Sequence, residues 1–455
     1  MSSNASTNDG CSHEGLISLD EALISYTTHI QPLEAISLPL LDAHQHILAA
    51  DILSPVELPL FSQSAVDGYA VCSADCQQAG VPLTLVGEIR AGVTSPLPLQ
   101  SGQAIRIFTG SKLPEGADAI ARQEIVQRGS LDAESVIFEN LSAEQRALES
   151  TRKTDQPFDQ IVITQAVAVG TDIRYQGEEL GKGTLLATQG QRLHAGLIAA
   201  LSMAGVHSVK VYRQPRIAVL ITGDEISSQL MHEAQVFDAN GPLIQSWLKQ
   251  GGFESISWQH VIDEREILST ALKQALHQFD LVITTGGVSV GDYDLIRPVS
   301  TALGAQQIFW QVAQKPGKPL YFASFNTNKS TNSADSAINN SPHTSYLIGL
   351  PGNPAAVVIG LHIHVQTILN QLQGQQPTLP QWQIGVFDGQ LKADSRERLL
   401  RMKMQISDQG CVNLTALNKQ QSHMLSNLAH ANALVRIPAH TIIESGQRLA
   451  FLIMD

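Results

Sequence analysis

From Arg216 onward the chain alternates between short apolar runs and longer amphipathic stretches. Residues 217–221, 255–261, 281–285 and 346–350 read as strands, and residues 242–250, 264–278 and 354–372 as helices. Parallel strands need a crossover between them, usually a helix, so this rhythm predicts a doubly wound parallel sheet. In the 264–278 helix, Ile267, Ala271, Leu272, Ala275 and Leu276 are expected to form the buried face. Residues 319–325 and 346–350 bracket a run of Asn, Ser, Thr and Ala at 326–345, expected to be a flexible loop decorating a hairpin.

The flanks read differently. Ser18 and Glu21 make a capping-box pattern ahead of helical spacing at 19–30, and 43–50 reads as a second helical piece. Residues 51–164 are rich in Pro, Gly and short β-type runs, which predicts a β-rich domain with 142–160 as an exposed loop. A strand is expected at 161–169 and a short apolar helix at 195–204, closed by Gly205. After Pro377 five β-type runs return (384–387, 399–405, 411–414, 433–437 and 448–453), which fit a small C-terminal β barrel or sandwich.

Composition narrows the function classes. With 42 acidic against 29 basic residues, the net charge is −13, which argues against generic binding to nucleic acid or to an acidic membrane. No uninterrupted apolar run reaches the ~18 residues of a spanning helix, and the polar residues 1–14 read as a loose tail. Four cysteines suit a reducing cytoplasm, and Cys72 and Cys76 lack the second pair a zinc site needs.

In an open α/β sheet, ligands bind beyond the carboxyl ends of the strands, and several ends here carry unusual chemistry. The 281–285 strand runs into Gly286-Gly287-Val-Ser289-Val-Gly-Asp292-Tyr-Asp294. Glycines there let the backbone approach an oxyanion, and the acids can hold a metal ion beside it, Asp294 more readily than Asp292, which could cap the next helix. The 217–221 strand ends in Thr222-Gly223-Asp224-Glu225, where Glu225 can order water or a metal or simply cap the following segment. Asp263 follows the 255–261 strand. The last strand ends in Leu350-Pro351-Gly352-Asn353-Pro354, where Asn353 suits an N-cap, Pro354 suits the first helical position, and free N–H groups can bind an anion. Lys315-Pro316-Gly317-Lys318-Pro319 puts two cations on a stiff turn, as an anion clamp would. In the N-terminal half, Ser64-Ala-Val-Asp67-Gly68-Tyr-Ala70, Arg106-Ile-Phe-Thr109-Gly110 and Pro114-Glu-Gly-Ala-Asp118 form further polar corners.

Taken in order, these segments resemble those of the molybdopterin molybdenumtransferases of molybdenum-cofactor biosynthesis, the MoeA family. The likeness spans residues 16–455 and rests on the ordered set of motifs rather than on any one. It implies a multidomain α/β plus β fold: a helical connecting domain of two segments (15–52 and 165–212), an inserted β domain (53–164), an α/β molybdopterin-binding domain (213–374) and a C-terminal β barrel (375–455). It implies a cytoplasmic homodimer, with molybdopterin adenylyltransferase and cofactor-delivery proteins as further partners. The implied reaction inserts molybdate into the dithiolene of adenylylated molybdopterin, with hydrolysis of the adenylate and release of AMP, assisted by Mg2+ or another divalent cation. By motif position, Asp67, Thr109, Glu225, Asp263 and Asp294 look like the functional polar residues, with Glu225, Asp263 and Asp294 toward the metal. Gly286, Gly287, Ser289, Lys315, Lys318, Pro351, Asn353 and Pro354 look like substrate binders.

The chain departs from the family pattern in places. A Gly-Glu-Asp turn appears as Gly177-Glu178-Glu179, Leu295 follows Asp294 where a tyrosine is frequent, and Gln421-Ser422 replaces a Gly-Ser pair. Two other readings stand beside the transferase. A molybdopterin adenylyltransferase would share the α/β domain, and a non-catalytic scaffold would use the β domains to bind partners.

Overall fold

The computed structural model describes residues 16–95, 98–129, 160–224, 226–227, 233, 235–289, 294–326 and 343–454. The expected tail at 1–14, the polar stretch 142–159, the insert at 327–342, Glu225 and Asp292 lie outside these residues. The chain forms two compact units, one of Met1–Ala50, Thr188–Ala195 and Ser208–Asp455, the other of Asp51–Ala187 and Gly196–His207. The two segments expected to make one connecting domain are thus shared between the units.

The first unit is built on a six-stranded sheet, in the order Ile256–Val261, Ile217–Thr222, Leu281–Thr285, Thr344–Leu350, Tyr321–Asn326, Gln306–Trp310. The first four strands are parallel, Tyr321–Asn326 runs against them, and the edge strand Gln306–Trp310 pairs antiparallel with Tyr321–Asn326. The sheet is therefore mixed rather than wholly parallel. The expected hairpin joins Tyr321–Asn326 to Thr344–Leu350, and the edge strand Gln306–Trp310 escapes the sequence reading because its polar start, Gln306 and Gln307, hides the apolar end.

Strand side chains alternate between faces, so each face carries its own core. Ile217, Val219, Ile221, Leu281, Ile283, Ile348 and Leu350 face one way and pack under the helix Pro354–Leu372. Ala218, Leu220, Val282 and Leu347 face the other way, against the helices Arg265–Gln278 and Ile296–Ala302. The buried face of Arg265–Gln278 uses Leu268 with Ala271, Leu272, Ala275 and Leu276, whereas Ile267 is 42% exposed. A helix of 3.6 residues per turn puts 268, 271, 272, 275 and 276 on one stripe and leaves 267 beside it.

The helix Leu19–His29 starts at the expected capping box, with Ser18 and Glu21 exchanging hydrogen bonds. It lays Leu19, Ala22, Leu23 and Tyr26 onto the same core as Pro354–Leu372. The latter is long and apolar enough to cross a membrane by composition, but 83% of that stretch is buried inside the protein. The expected helix at 43–50 is absent. A single 3-10 turn at Leu40–Ala43 gives way to extended chain, because Ile47 and Leu48 are both fully buried and their backbone pairs with Arg192 and Val211.

The C-terminal strands Gln383–Asp388, Glu397–Ile406, Val412–Ala416, Ala433–Ile437 and Arg448–Ile453 close into a barrel, the ends joined where Glu397–Ile406 pairs with both Val412–Ala416 and Ala433–Ile437. Phe387, Met402, Leu414, Val435 and Phe451 fill it. The two-residue strand Gln314–Lys315 adds to its rim beside Glu397 and Arg398.

The second unit carries a six-stranded sheet, in the order Ala119–Arg122, Gly68–Val71, Gln103–Ile107, Pro82–Ile89, Gln160–Ile163, Val126–Gly129. The strand expected at 161–169 is shorter, Gln160–Ile163, and Ala195–Met203 is a helix followed by Gly205 with φ +77°.

At the amino ends of the central strands, Asp280 is 1% exposed and accepts from Arg213 Nη1 (2.8 Å), Arg216 Nη2 (3.0 Å) and the Arg216 backbone N–H (2.7 Å). Burial pushes its carboxyl up, but hydrogen bonds and charge from the two arginines outweigh that and hold it at about 2, below the ordinary 3.8. A depressed folded value gives stability that is full above the unfolded value and lost on acidification. About 2 kcal/mol is expected to disappear as pH falls from 3.8 toward 2. Asp280→Asn is expected to cost about 2–4 kcal/mol at neutral pH and to flatten that acid limb. Urea unfolding across the acid range measures both, and an unchanged acid limb in the variant would remove Asp280 as its source.

Candidate functional site

The strand order puts the second and third strands on either side of the first, so the order of connection across the sheet reverses between Ile217–Thr222 and Leu281–Thr285. A crevice opens at such a switch point beyond the carboxyl ends. Here it is tightly tied. Thr222 Oγ1 donates to the Thr285 carbonyl at 3.0 Å, and Gly286 N–H donates to the Leu350 carbonyl at 3.0 Å. Gly286 has φ +85°, and a Cβ there would lie 2.8 Å from Thr222 Oγ1 and 3.2 Å from the Thr222 carbonyl oxygen. Only glycine fits both the backbone angle and the space.

A cleft of about 570 Å³ follows from these ends, within the usual range for small-molecule sites. One wall is Gly286, Gly287, Ser289 and Asp294 with Pro351, Gly352 and Asn353. The second is the turn from Lys315 to Pro319. The third comes from the barrel: Asp394, Arg396 and Arg398 at the start of its long strand, and Gln420 to Ser422. The lining carries four cations (Lys315, Lys318, Arg396 and Arg398) and two carboxylates (Asp294 and Asp394). That surplus suits a ligand carrying more than one negative charge.

Lys315 Nζ lies 2.7 Å from Asp394 Oδ2, and the Arg396 backbone N–H donates to Asp394 Oδ1 at 3.1 Å. These two bonds, the lysine's first, hold the Asp394 carboxyl below its ordinary value. Arg396 Nη1 reaches the Gln314 carbonyl at 3.5 Å. Trp310 Nε1 donates to the Val288 carbonyl at 3.0 Å, and Arg297 lies over the Trp310 ring, which braces the loop carrying Ser289.

The cleft therefore joins Gly286, Gly287, Ser289, Asp294, Lys315, Lys318, Pro351 and Asn353. Pro354 sits at the first helical position and does not line it. The expected free helix N–H groups are already used. Pro354 has none, Ala355 N–H donates to the Ser422 carbonyl (3.3 Å), and Ala356 N–H to the Asn353 carbonyl (2.9 Å). Nor does the Asn353 side chain cap the helix. Its place in the lining is a cleft role rather than a capping one.

Asp263 does not line the cleft. It is half-buried at its strand end, and its N–H donates to Asp224 Oδ1 at 3.0 Å, so Asp224 serves to tie two strand ends together. Among the described residues no three His, Cys, Asp or Glu side chains converge as a metal site. Asp67 and Thr109 belong to the second unit and pair there. The Thr109 N–H (2.9 Å) and Oγ1 (2.8 Å) both donate to Asp67 Oδ1, and these bonds, the backbone one first, hold the Asp67 carboxyl below its ordinary value.

The barrel wall escapes a reading centred on the strand ends. One signal was present: Arg396 and Arg398 are two apart, one just before and one just inside the strand Glu397–Ile406. The altered pair Gln421-Ser422 falls in this wall as well.

Comparison with known proteins places three family regions along the chain. A model described as the MoeA N-terminal region (domain I and II) matches residues 17–205, a probable molybdopterin binding domain matches 218–371, and the MoeA C-terminal region (domain IV) matches 386–454. A molybdopterin molybdenumtransferase of Staphylococcus epidermidis is 31% identical over 433 residues, covering 93% of this chain and 92% of that protein. One from Nostoc sp. is 32% identical over 421 residues, covering 90% and 86%. Among solved structures, a molybdopterin biosynthesis MoeA protein from Pyrococcus horikoshii superposes with a TM-score of 0.73 at 24% identity, covering 96% of this chain and 99% of that one. The fold is thus that of a multidomain protein with a molybdopterin-binding-type α/β domain at its centre. The chain belongs to the MoeA family of molybdopterin molybdenumtransferases.

Asp394→Asn removes a negative charge from among the four cations. Inorganic pyrophosphate is expected to bind about fivefold more tightly to the variant at low salt, with the gain shrinking as salt rises. Calorimetric titration at two ionic strengths tests this, and equal affinities would mean that the charge of the lining does not govern anion binding.

Proposed function

We propose that the cleft inserts molybdate into the dithiolene of adenylylated molybdopterin, with hydrolysis of the adenylate and release of AMP. The observation that carries this reading is the meeting of four cations from two walls, Lys315 and Lys318 on one and Arg396 and Arg398 on the other, in a single cleft. Both reactants are multiply charged anions, a pyrophosphate-linked pterin and molybdate. Fixed cations hold two such oxyanions near one another at little reorganisation cost.

The bonds balance without a further reactant. Water attacks the adenylyl phosphorus, the phosphoanhydride bond breaks, and AMP and the molybdopterin phosphate separate. The two dithiolene sulfurs bind molybdenum and displace one oxygen of molybdate, which leaves as water with the two thiol protons. Asp294 is the carboxylate of the sheet-end wall, and its proposed role is to orient the attacking oxygen. Lys315, Lys318, Arg396 and Arg398 hold the phosphoanhydride and molybdate. Magnesium accompanies the nucleotide in this proposal, and the roles given to these side chains stand apart from it. The proposal keeps the homodimer and the adenylyltransferase and delivery partners that the family resemblance implies.

The test is a purified assay with adenylylated molybdopterin, molybdate and magnesium, scoring AMP and inserted molybdenum. Molybdate-dependent AMP release is expected, with Asp294→Ala slowing it about 100-fold. Pyrophosphate release from ATP would instead identify an adenylyltransferase, and unimpaired insertion by Asp294→Ala would end the proposed role of that residue.

A further inference from the structure

Beneath the lysine turn lies a row of buried polar side chains that the proposed chemistry does not touch. Tyr26, Gln314 and His364 are each fully buried. Tyr26 Oη is 2.9 Å from His364 Nδ1, His364 Nε2 is 3.0 Å from Gln314 Oε1, and Gln314 Nε2 donates to the Gly317 carbonyl at 3.1 Å. Gly317 is the middle of the turn that carries Lys315 and Lys318 into the cleft.

The donors and acceptors fix a single direction. The Gly317 carbonyl can only accept, so the Gln314 amide presents its NH2 there and its oxygen toward His364. An amide oxygen can only accept, so His364 Nε2 carries the proton. Nδ1 is then bare, and the Tyr26 hydroxyl donates to it. One neutral imidazole tautomer satisfies every link, and a second proton on His364 would reverse the bond to Tyr26, leaving its hydroxyl proton without the imidazole acceptor. Burial also disfavours that proton, holding the imidazole down to about 3.

Independent geometry supports a positioning role. Gly317 has φ +92°, and a Cβ on it would lie 2.9 Å from Gln314 Nε2, so the amide and the turn are packed against one another. The main-chain carbonyl of Gln314 meets Arg396 Nη1, which places the same residue between the lysine wall and the arginine wall. His364 sits in a π-helical segment, Gly360–Val365, of an otherwise α-helical rod. Such segments redirect side chains and recur at functional sites.

We infer that Tyr26, His364 and Gln314 form a one-way hydrogen-bond relay that sets the Lys315–Lys318 turn in register with the arginine wall, making them positioning residues for anion binding in the cleft. This rests on the cleft being the substrate anion site. The relay also links the N-terminal helix Leu19–His29 to that site through side chains.

The test uses the full chain with inorganic pyrophosphate as probe. His364→Leu and Gln314→Met keep volume but cut the relay, and each is expected to weaken pyrophosphate binding about tenfold. In turnover they are expected to raise KM for adenylylated molybdopterin more than they lower kcat. His364→Gln restores an acceptor and a donor and is expected to bind within about twofold of the parent protein. In 15N-histidine spectra of the parent, one imidazole is expected to keep Nε2 protonated and Nδ1 bare from about pH 5 to 8, and Tyr26→Phe is expected to shift its Nδ1 resonance. Folded His364→Leu and Gln314→Met proteins that bind pyrophosphate like the parent would overturn the inference, as would a His364 that titrates in that range. A parent protein that shows the tautomer but binds no pyrophosphate would overturn the reading of the cleft instead.

Discussion

The buried carboxylate of Asp280 is the interaction on which the rest of the first unit depends. It sits just before the Leu281–Thr285 strand and takes hydrogen bonds from Arg213 and Arg216, which lead into the neighbouring Ile217–Thr222 strand. Its own backbone adds two more ties. Its N–H donates to the Arg216 carbonyl and its carbonyl accepts from Tyr346 N–H, so three parallel strands are registered at one point. Register set there is carried about 3.3 Å per residue along rigid strands, and it determines which residues emerge opposite one another at the far ends. The close fit of Gly286 against Thr222 is possible only in that register.

From the sheet ends outward, positioning passes from main chain to side chains. The Gly286 loop is tied by backbone hydrogen bonds and by lack of room for a Cβ. The lysine turn is held by a side-chain amide, and the barrel loop 419–424 by Arg401, which is 1% exposed and donates to the carbonyls of Lys419, Gln421 and Met424. No carboxylate accompanies Arg401 in these bonds. Burial lowers the pKa of its guanidinium, and the carbonyl dipoles compensate in place of a counter-ion. The three walls of the cleft thus rest on three different buried polar devices.

Much of this was legible in the sequence, for physical reasons that differ from place to place. The central strands and their glycine-ended loops stood out because full burial on both faces demands continuous apolar runs, and tight turns demand glycine. The Ser18–Glu21 capping box was readable because it is local, as was the helix closed by Gly205. Ile47 and Leu48 misled because adjacent apolar residues suit a helix flank as well as an extended pair, and distant pairing with Val211 decided the matter. The barrel wall was the hardest to foresee. Arg396, Arg398 and Ser422 lie far along the chain from the strand ends, and only tertiary structure brings them to the lysines. Arg401, His364 and Gln314 had no signature at all, since a buried polar residue looks like a surface one until its partners are known.

The start of the helix Pro354–Leu372 has a consequence of its own. Its first N–H groups are consumed by the Ser422 and Asn353 carbonyls, so the positive end of its dipole meets protein oxygen rather than a ligand. That helix start therefore adds no free N–H groups to the cleft, and the positive charge of the lining comes from its lysines and arginines. A site of that kind can drift. Single substitutions among its lysines and arginines would change the charge of the lining while leaving the helix, the sheet and the glycine turn as they are. The boundary between the helix dipole and the cleft runs through one carbonyl of the barrel loop, that of Ser422.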